Sequence, residues 1–175
     1  FAGSYVVQAP ISLIYISSKL VHNENIQIEI LDCRIEKNWR EILTKKIFEE
    51  NIFLVGLSVM SGLQVAKAFE VTEFIKNLKD IPIVWGGPHT TILPEETLNY
   101  GKIDFCIRGF GVDAFTTLVE SLLKGSNKFK NIPGVCFKDG DSNHIAEINV
   151  EYERIPFRDL PYQLLDPFLE KYYQN

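Results

Sequence analysis

The chain has 175 residues, with 18 Lys+Arg against 23 Asp+Glu, a formal net charge of −5 and 46% hydrophobic residues. That length suits one globular domain whose core needs no disulfide or metal to hold it, and an acidic chain with no basic block longer than Lys45-Lys46 excludes a nucleic-acid partner held by phosphate contacts. No apolar run approaches the roughly 20 residues of a membrane span, and the widely spaced Cys33, Cys106 and Cys136 form neither a disulfide framework nor a close-pair metal motif, which fits a reducing cytoplasm.

The apolar period changes repeatedly along the chain. Tyr5-Val6-Val7-Gln8 reads as a short extended piece ending at Pro10, and residues 11–21 carry Ile11, Leu13, Ile14, Ile16 and Leu20 at helical spacing. Residues 26–31 (IQIEIL) alternate strictly, as a strand does. A helix is expected over 38–50, with Trp39, Ile42, Leu43 and Ile47 as its apolar stripe. Asn38 and Glu41 stand at capping-box spacing before it. Residues 52–57 (IFLVGL) form a continuous apolar run, as in a central parallel strand covered on both faces. A long helix over 63–78 follows, then a buried strand over 81–85 stopped by Gly86-Gly87-Pro88.

The second half continues the alternation. Residues 94–100 read as a short helix with Pro94 at its start and two acids in its first turn. Residues 103–107 (IDFCI) are a strand ending in Arg108-Gly109-Phe110-Gly111, and 113–123 are a helix closed by Gly125 at C′. Residues 134–138 and 144–150 flank Asp139-Gly140-Asp141-Ser142-Asn143, a hairpin signal. Residues 151–175, with three prolines, read as an irregular linker with a short helix over 164–173. The fold class is therefore α/β, a doubly wound and mostly parallel sheet of Rossmann-like or flavodoxin-like type with a C-terminal β-hairpin and irregular tail. The expected division is a domain over 1–130 with a truncated first strand, a hairpin extension over 131–150 and a linker over 151–175.

Ligands of such sheets bind beyond the carboxyl ends of the strands, at a switch point. Three loops qualify. The first, Ser58-Val59-Met60-Ser61-Gly62, offers hydroxyls and a helix N-terminus suited to a polar or anionic ligand; Ser61 reads equally as a cap for the next helix. In the second, Gly86-Gly87 removes two side chains where a flat ligand or the neighbouring loop must come close. His89 in that loop is a hydrogen-bonding or acid–base group, or a histidine bonded to backbone. The third, Gly109-Phe110-Gly111, has half of a G-x-G-x-x-G but too late in the sheet for a nicotinamide site. The chain has no G-x-x-x-x-G-K-[ST] and no G-x-S-x-G, which removes a P-loop and an α/β-hydrolase. A strand ending Gly56-Leu57-Ser58 lacks the Asp of a phosphoacceptor receiver.

The succession LVGLSVMSG, IPIVWGGPHTTILPEE, IDFCIRGFG and IPGVCFKDG resembles the N-terminal cobalamin-binding domain of cobalamin-dependent radical S-adenosylmethionine (SAM) enzymes. Relatives of these enzymes include methyltransferases and the anaerobic magnesium-protoporphyrin ester cyclase. APISLIYISSKL resembles the family's P-P-x-G-L-x-Y-L-A element, and RDLPYQLLDPFLEKYY the linker into the radical barrel. The resemblance implies cobalamin, with its cobalt, held across the strand ends. Its nucleotide tail would run past the Ser58 and Gly86-Gly87 loops. The cofactor-binding residues are then Ser58, Met60, Ser61, Gly62, Gly86, Gly87 and His89, with Gly109 and Gly111. SAM and an iron–sulfur cluster would belong to a radical SAM domain of the same parent chain, because no C-x-x-x-C-x-x-C occurs here.

Two departures stand out. Pro10-Ile11-Ser12 stands where methionine-synthase-type domains have D-x-H, so no histidine ligand to cobalt is expected from this loop. The third loop lacks the carboxylates of the family's G-E-G-E. A chain that begins at Phe1 and holds Met60 as its only methionine is expected to have been taken from a longer one and to be non-catalytic alone. The rival readings are a cofactor-free docking domain of the same fold and an unrelated nucleotide-binding domain.

Overall fold

The computed structural model describes residues 8–150 and 154–174. The extended piece expected at Tyr5-Val6-Val7 lies outside the described residues. The described strands form one sheet in the order β1 (Val55–Ser58), β2 (Ile83–Gly86), β3 (Phe105–Ile107), β4 (Val135–Asp139) and β5 (Ser142–His144). The first three run parallel, β4 pairs antiparallel with β3, and β5 pairs antiparallel with β4. Helices α1 (Ile11–Ser17), α2 (Trp39–Glu49), α3 (Leu63–Leu78), α4 (Pro88–Ile92), α5 (Pro94–Asn99), α6 (Gly111–Leu123) and α7 (Leu169–Gln174) complete the mostly parallel α/β architecture. The described strands run in sequence order, so no reversal of strand order falls among them.

Period-two alternation sorts the core into two layers. Ile83, Trp85, Cys106 and Cys136 face one side, with Ala68 and Ile75 of α3 and Leu98 of α5. Val84, Phe105, Ile107, Val135 and Phe137 face the other, with Ala114 and Leu118 of α6. Trp85 is fully buried, and its indole N–H donates to Thr72 Oγ1 at 3.0 Å. Burial raises the thiol pKa of Cys106 and Cys136, as expected of small core hydrophobes.

Several boundaries move. The run at 52–57 enters the ladder only at Val55, and β1 is the edge strand of the described sheet. Gly56 and Ser58 are exposed, so this strand is not covered on both faces. The helix expected over 11–21 ends at Ser17 and gives way to a 3-10 turn at Leu20–His22. Asn38 makes no side-chain cap bond; its carbonyl instead accepts from the Glu41 and Ile42 N–H groups. Residues 26–31 keep their alternation, with Gln27 and Glu29 exposed and Ile30 buried, but join no ladder among the described strands. The hairpin is tighter than expected and turns on Gly140-Asp141.

Residues 155–174 fold back onto the domain. Leu160 and Leu165 bury against Ile14 of α1 and Ile30, and the Ile155 N–H donates to Tyr15 Oη at 3.2 Å. Polar contacts fix the end of this segment. Asp32 receives Arg34 Nε at 2.8 Å and the Tyr172 hydroxyl at 2.8 Å, and Lys171 pairs with buried Glu36. Burial pushes the Asp32 carboxyl up, but the Arg34 bonds and charge, with Tyr172, hold it below the usual carboxylate value.

Candidate functional site

The site is built where β1 and β2 end. Ser58 and Gly86 are ladder partners. The chain then zips the two following loops together through backbone: Val59 N–H donates to Gly86 O at 2.8 Å, and His89 N–H to Val59 O at 3.2 Å. The paired glycines divide their labour. Gly87 has φ +107°, and a Cβ there would sit 2.7 Å from the Val59 carbonyl oxygen. Its small size serves the neighbouring loop. A Cβ on Gly86 would meet nothing within 4 Å, so that position leaves open space beside exposed Ser58.

The stretch from Gly86 to Thr91 reads as a loop in the sequence, but a helix begins at Pro88. Pro88 occupies the first turn of α4, where its missing N–H costs nothing; Gly followed by Pro was the signal for it. The short helix places Thr90 and Thr91, which the sequence reading did not single out. Thr90 is fully buried and donates to Ile107 O at 2.8 Å. Thr91 donates to Gly87 O at 3.0 Å and accepts from Gly109 N–H at 3.1 Å. These threonines tie the second loop to the third.

Ser61 does not cap α3. The N-cap is Gly62, φ +99°, without a side-chain bond. The Ser61 hydroxyl lies instead 3.3 Å from His89 Nδ1. Ser58 Oγ lies 3.4 Å from Ser12 Oγ at the start of α1. The first and second loops therefore bring Ser58, Ser61, Gly86 and His89 to one rim. Met60 and Leu63, on either side of Ser61 and Gly62 in sequence, are exposed.

The third loop is used differently. Gly109 has φ +75° and forms a bridge to Asn149, with a Cβ position 2.2 Å from the Asn149 carbonyl oxygen. A Cβ on Gly111 would meet Ile16 Cδ1 at 2.8 Å, so this glycine lets α1 approach α6. Both positions are filled by the chain's own packing.

The rim is chemically polar. A hydroxyl beside an imidazole suggests a nucleophile and base, yet no carboxylate bonds His89 among the described residues, and a third orienting group is what such a pair needs. No group of three or more His, Cys, Asp or Glu that could hold a metal occurs among the described residues. Nor is any described helix long and apolar enough to cross a membrane. The arrangement suits binding: hydroxyls, an imidazole and a side-chain-free stretch, flanked by exposed apolar groups.

The chain is 30% identical over 132 residues, 74% of its length, to the uncharacterized methyltransferase PH0819 of Pyrococcus horikoshii. Its fold matches the radical S-adenosylmethionine methyltransferase TsrM from Kitasatospora setae, solved with cobalamin and a [4Fe-4S] cluster bound, at TM-score 0.73 and 22% identity over 86% of this chain. It also matches the cobalamin-dependent S-adenosylmethionine radical enzyme OxsB, solved with aqua-cobalamin bound, at TM-score 0.76 and 20% identity over 97% of this chain. The chain spans 28% of the Pyrococcus protein, 28% of the TsrM chain and 23% of the OxsB chain. The family model of the B12 binding domain matches residues 4–119, and the chain belongs to that family.

Proposed function

We propose that this chain binds cobalamin across the carboxyl ends of β1 and β2, as the N-terminal domain of a radical SAM enzyme. The observation that carries the reading is the open space at Gly86 beside the exposed Ser58 hydroxyl. A stretch of backbone without side chains admits a flat group closely, and the neighbouring hydroxyl supplies a hydrogen bond to it. Ser61 and His89 add polar partners, and the exposed Met60 and Leu63 offer apolar contact to a large ring. Bound cobalamin supplies cobalt for carrying a methyl group or tuning a radical reaction. The chain's own residues position it: Gly86 makes room, Ser58 and His89 orient, and the zipped loops keep the rim rigid. SAM and the iron–sulfur cluster belong, on this reading, to a further domain of the parent protein.

The observation that favours a cofactor-free docking domain is the third loop, which lacks carboxylates and whose glycines are taken by Asn149 and Ile16. One experiment separates the two. The chain is mixed with hydroxocobalamin and desalted, and the visible spectrum of the protein fraction is read. Retained corrinoid absorbance is expected. A folded protein fraction without it would favour docking.

A further inference from the structure

Among the serines of the first helical stretch, Ser12 stands apart. Ser17 and Ser18 spend their hydroxyls locally, donating to Leu13 O at 2.8 Å and Tyr15 O at 2.7 Å. Ser12 reaches a different element: its hydroxyl meets that of Ser58, 46 positions away in sequence, at 3.4 Å. It serves no helix cap, since the N-cap of α1 is Pro10, without a side-chain cap bond. Both hydroxyls are exposed.

Packing on both sides of α1 fixes where Ser12 sits. Ile14, two residues on, is fully buried with Ile30, Leu160 and Leu165. Ile16 packs where Gly111 has no side chain, and Lys19 pairs with Asp113 of α6 at 2.7 Å. These contacts hold α1 so that Ser12 overlooks Ser58 and, beside it, the open space at Gly86.

We propose that Ser12 is a positioning residue that aims the Ser58 hydroxyl at the ligand. Each hydroxyl carries one proton and accepts others. When Ser12 donates to Ser58, the Ser58 proton is left to point into the space beside Gly86. Donation in series also strengthens the outer bond. At 3.4 Å the contact is long for a hydroxyl pair. On the cobalamin reading, in which the nucleotide tail runs past the Ser58 loop, the group received is a hydrogen-bond acceptor on that tail. This rests on the cobalamin reading.

The test compares cobalamin with cobinamide, which lacks the nucleotide tail, for the wild-type chain, Ser12→Ala and Ser12→Thr. Loss of one neutral hydrogen bond predicts about a fivefold weaker cobalamin affinity for Ser12→Ala. Cobinamide affinity is expected to stay unchanged, and Ser12→Thr to restore cobalamin binding. Thermal melting of each variant confirms folding, which an exposed substitution leaves intact. Cobalamin binding by Ser12→Ala that equals or exceeds wild type overturns the positioning role, as does an equal loss for both corrinoids. A wild-type chain that retains neither corrinoid overturns the cobalamin reading itself, and the inference with it.

Discussion

Substituting Gly86 and Gly87 one at a time separates the fold from the site. Gly87→Ala places a side chain at φ +107°, with its Cβ 2.7 Å from the Val59 carbonyl oxygen. The backbone conformation alone costs about 1–3 kcal/mol, and the contact is with backbone, which has no rotamer to escape by. A total on the order of 2–4 kcal/mol follows, since the loop must shift away from the Val59–His89 bond. For a domain of this length each kcal/mol lowers the melting temperature by roughly 2–4 °C, so a fall of about 5–15 °C is expected. Gly86→Val behaves oppositely. Its Cβ meets nothing within 4 Å, and a substitution into open space changes stability by about 0.5 kcal/mol or less. The valine does fill the space assigned to the ligand, and a corrinoid affinity at least about tenfold weaker is expected, equivalent to about 1.4 kcal/mol. Circular dichroism melts and equilibrium dialysis with hydroxocobalamin read the two effects. Wild-type affinity in Gly86→Val would refute the placement of the ligand. Wild-type melting in Gly87→Ala would refute the close approach of the loops.

Asp32 gives a pH dependence with a defined sign. Its folded pKa lies below the ordinary 3.8, so its contribution is present above that value and is lost as pH falls through the lower folded value. Melting temperature should therefore hold steady on mild acidification and fall in stronger acid. Asp32→Asn should be less stable at neutral pH by about 1–3 kcal/mol and flatten the acid limb; an unchanged limb would remove Asp32 from the account. Thr72→Val leaves the Trp85 indole N–H, fully buried, without its partner. A loss of about 1–3 kcal/mol is expected in urea unfolding, with Thr72→Ser retaining most of the stability; a Val variant as stable as wild type would show the bond contributes little.

Most of the sheet was legible because burial imposes period two. Ile83, Val84 and Trp85 alternate between two core layers, as a buried run of apolar residues requires. The long helix over 63–78 appeared at its expected bounds, since sixteen residues of one periodicity leave little ambiguity. Ladder membership was less legible, because it depends on partners. Residues 26–31 have the alternation of a strand, yet alternation fixes only which side chains turn inward. The hydrogen bonds must come from a neighbour that the segment's own residues do not specify. The glycines show the same limit at the site. Gly-Gly announces that something comes close, but not what. Gly87 answers to a carbonyl and Gly86 to open space, a distinction set by a loop about thirty residues earlier. Gly109 and Gly111 looked alike to these and serve the chain's own packing.

The three loops thus contribute unequally, and the difference bears on the missing carboxylates of the third. Gly109 and Phe110 are bonded to Asn149, and Arg108 donates to Ala146 O at 2.6 Å. This loop is tied to the strand-like residues after the hairpin, while Thr91 connects it back to the second loop. It acts as a strut, so acids there are not needed to shape the rim at Ser58 and Gly86. The other support comes from the opposite end of the chain. Leu160 and Leu165 press on Ile14, and α1 presents Ser12 to Ser58. The C-terminal segment therefore bears on the site through one short helix. A displacement of residues 155–174 relative to the sheet would shift Ser12 more than Ser58, because Ser58 is held in the ladder and Ser12 through the contacts of α1.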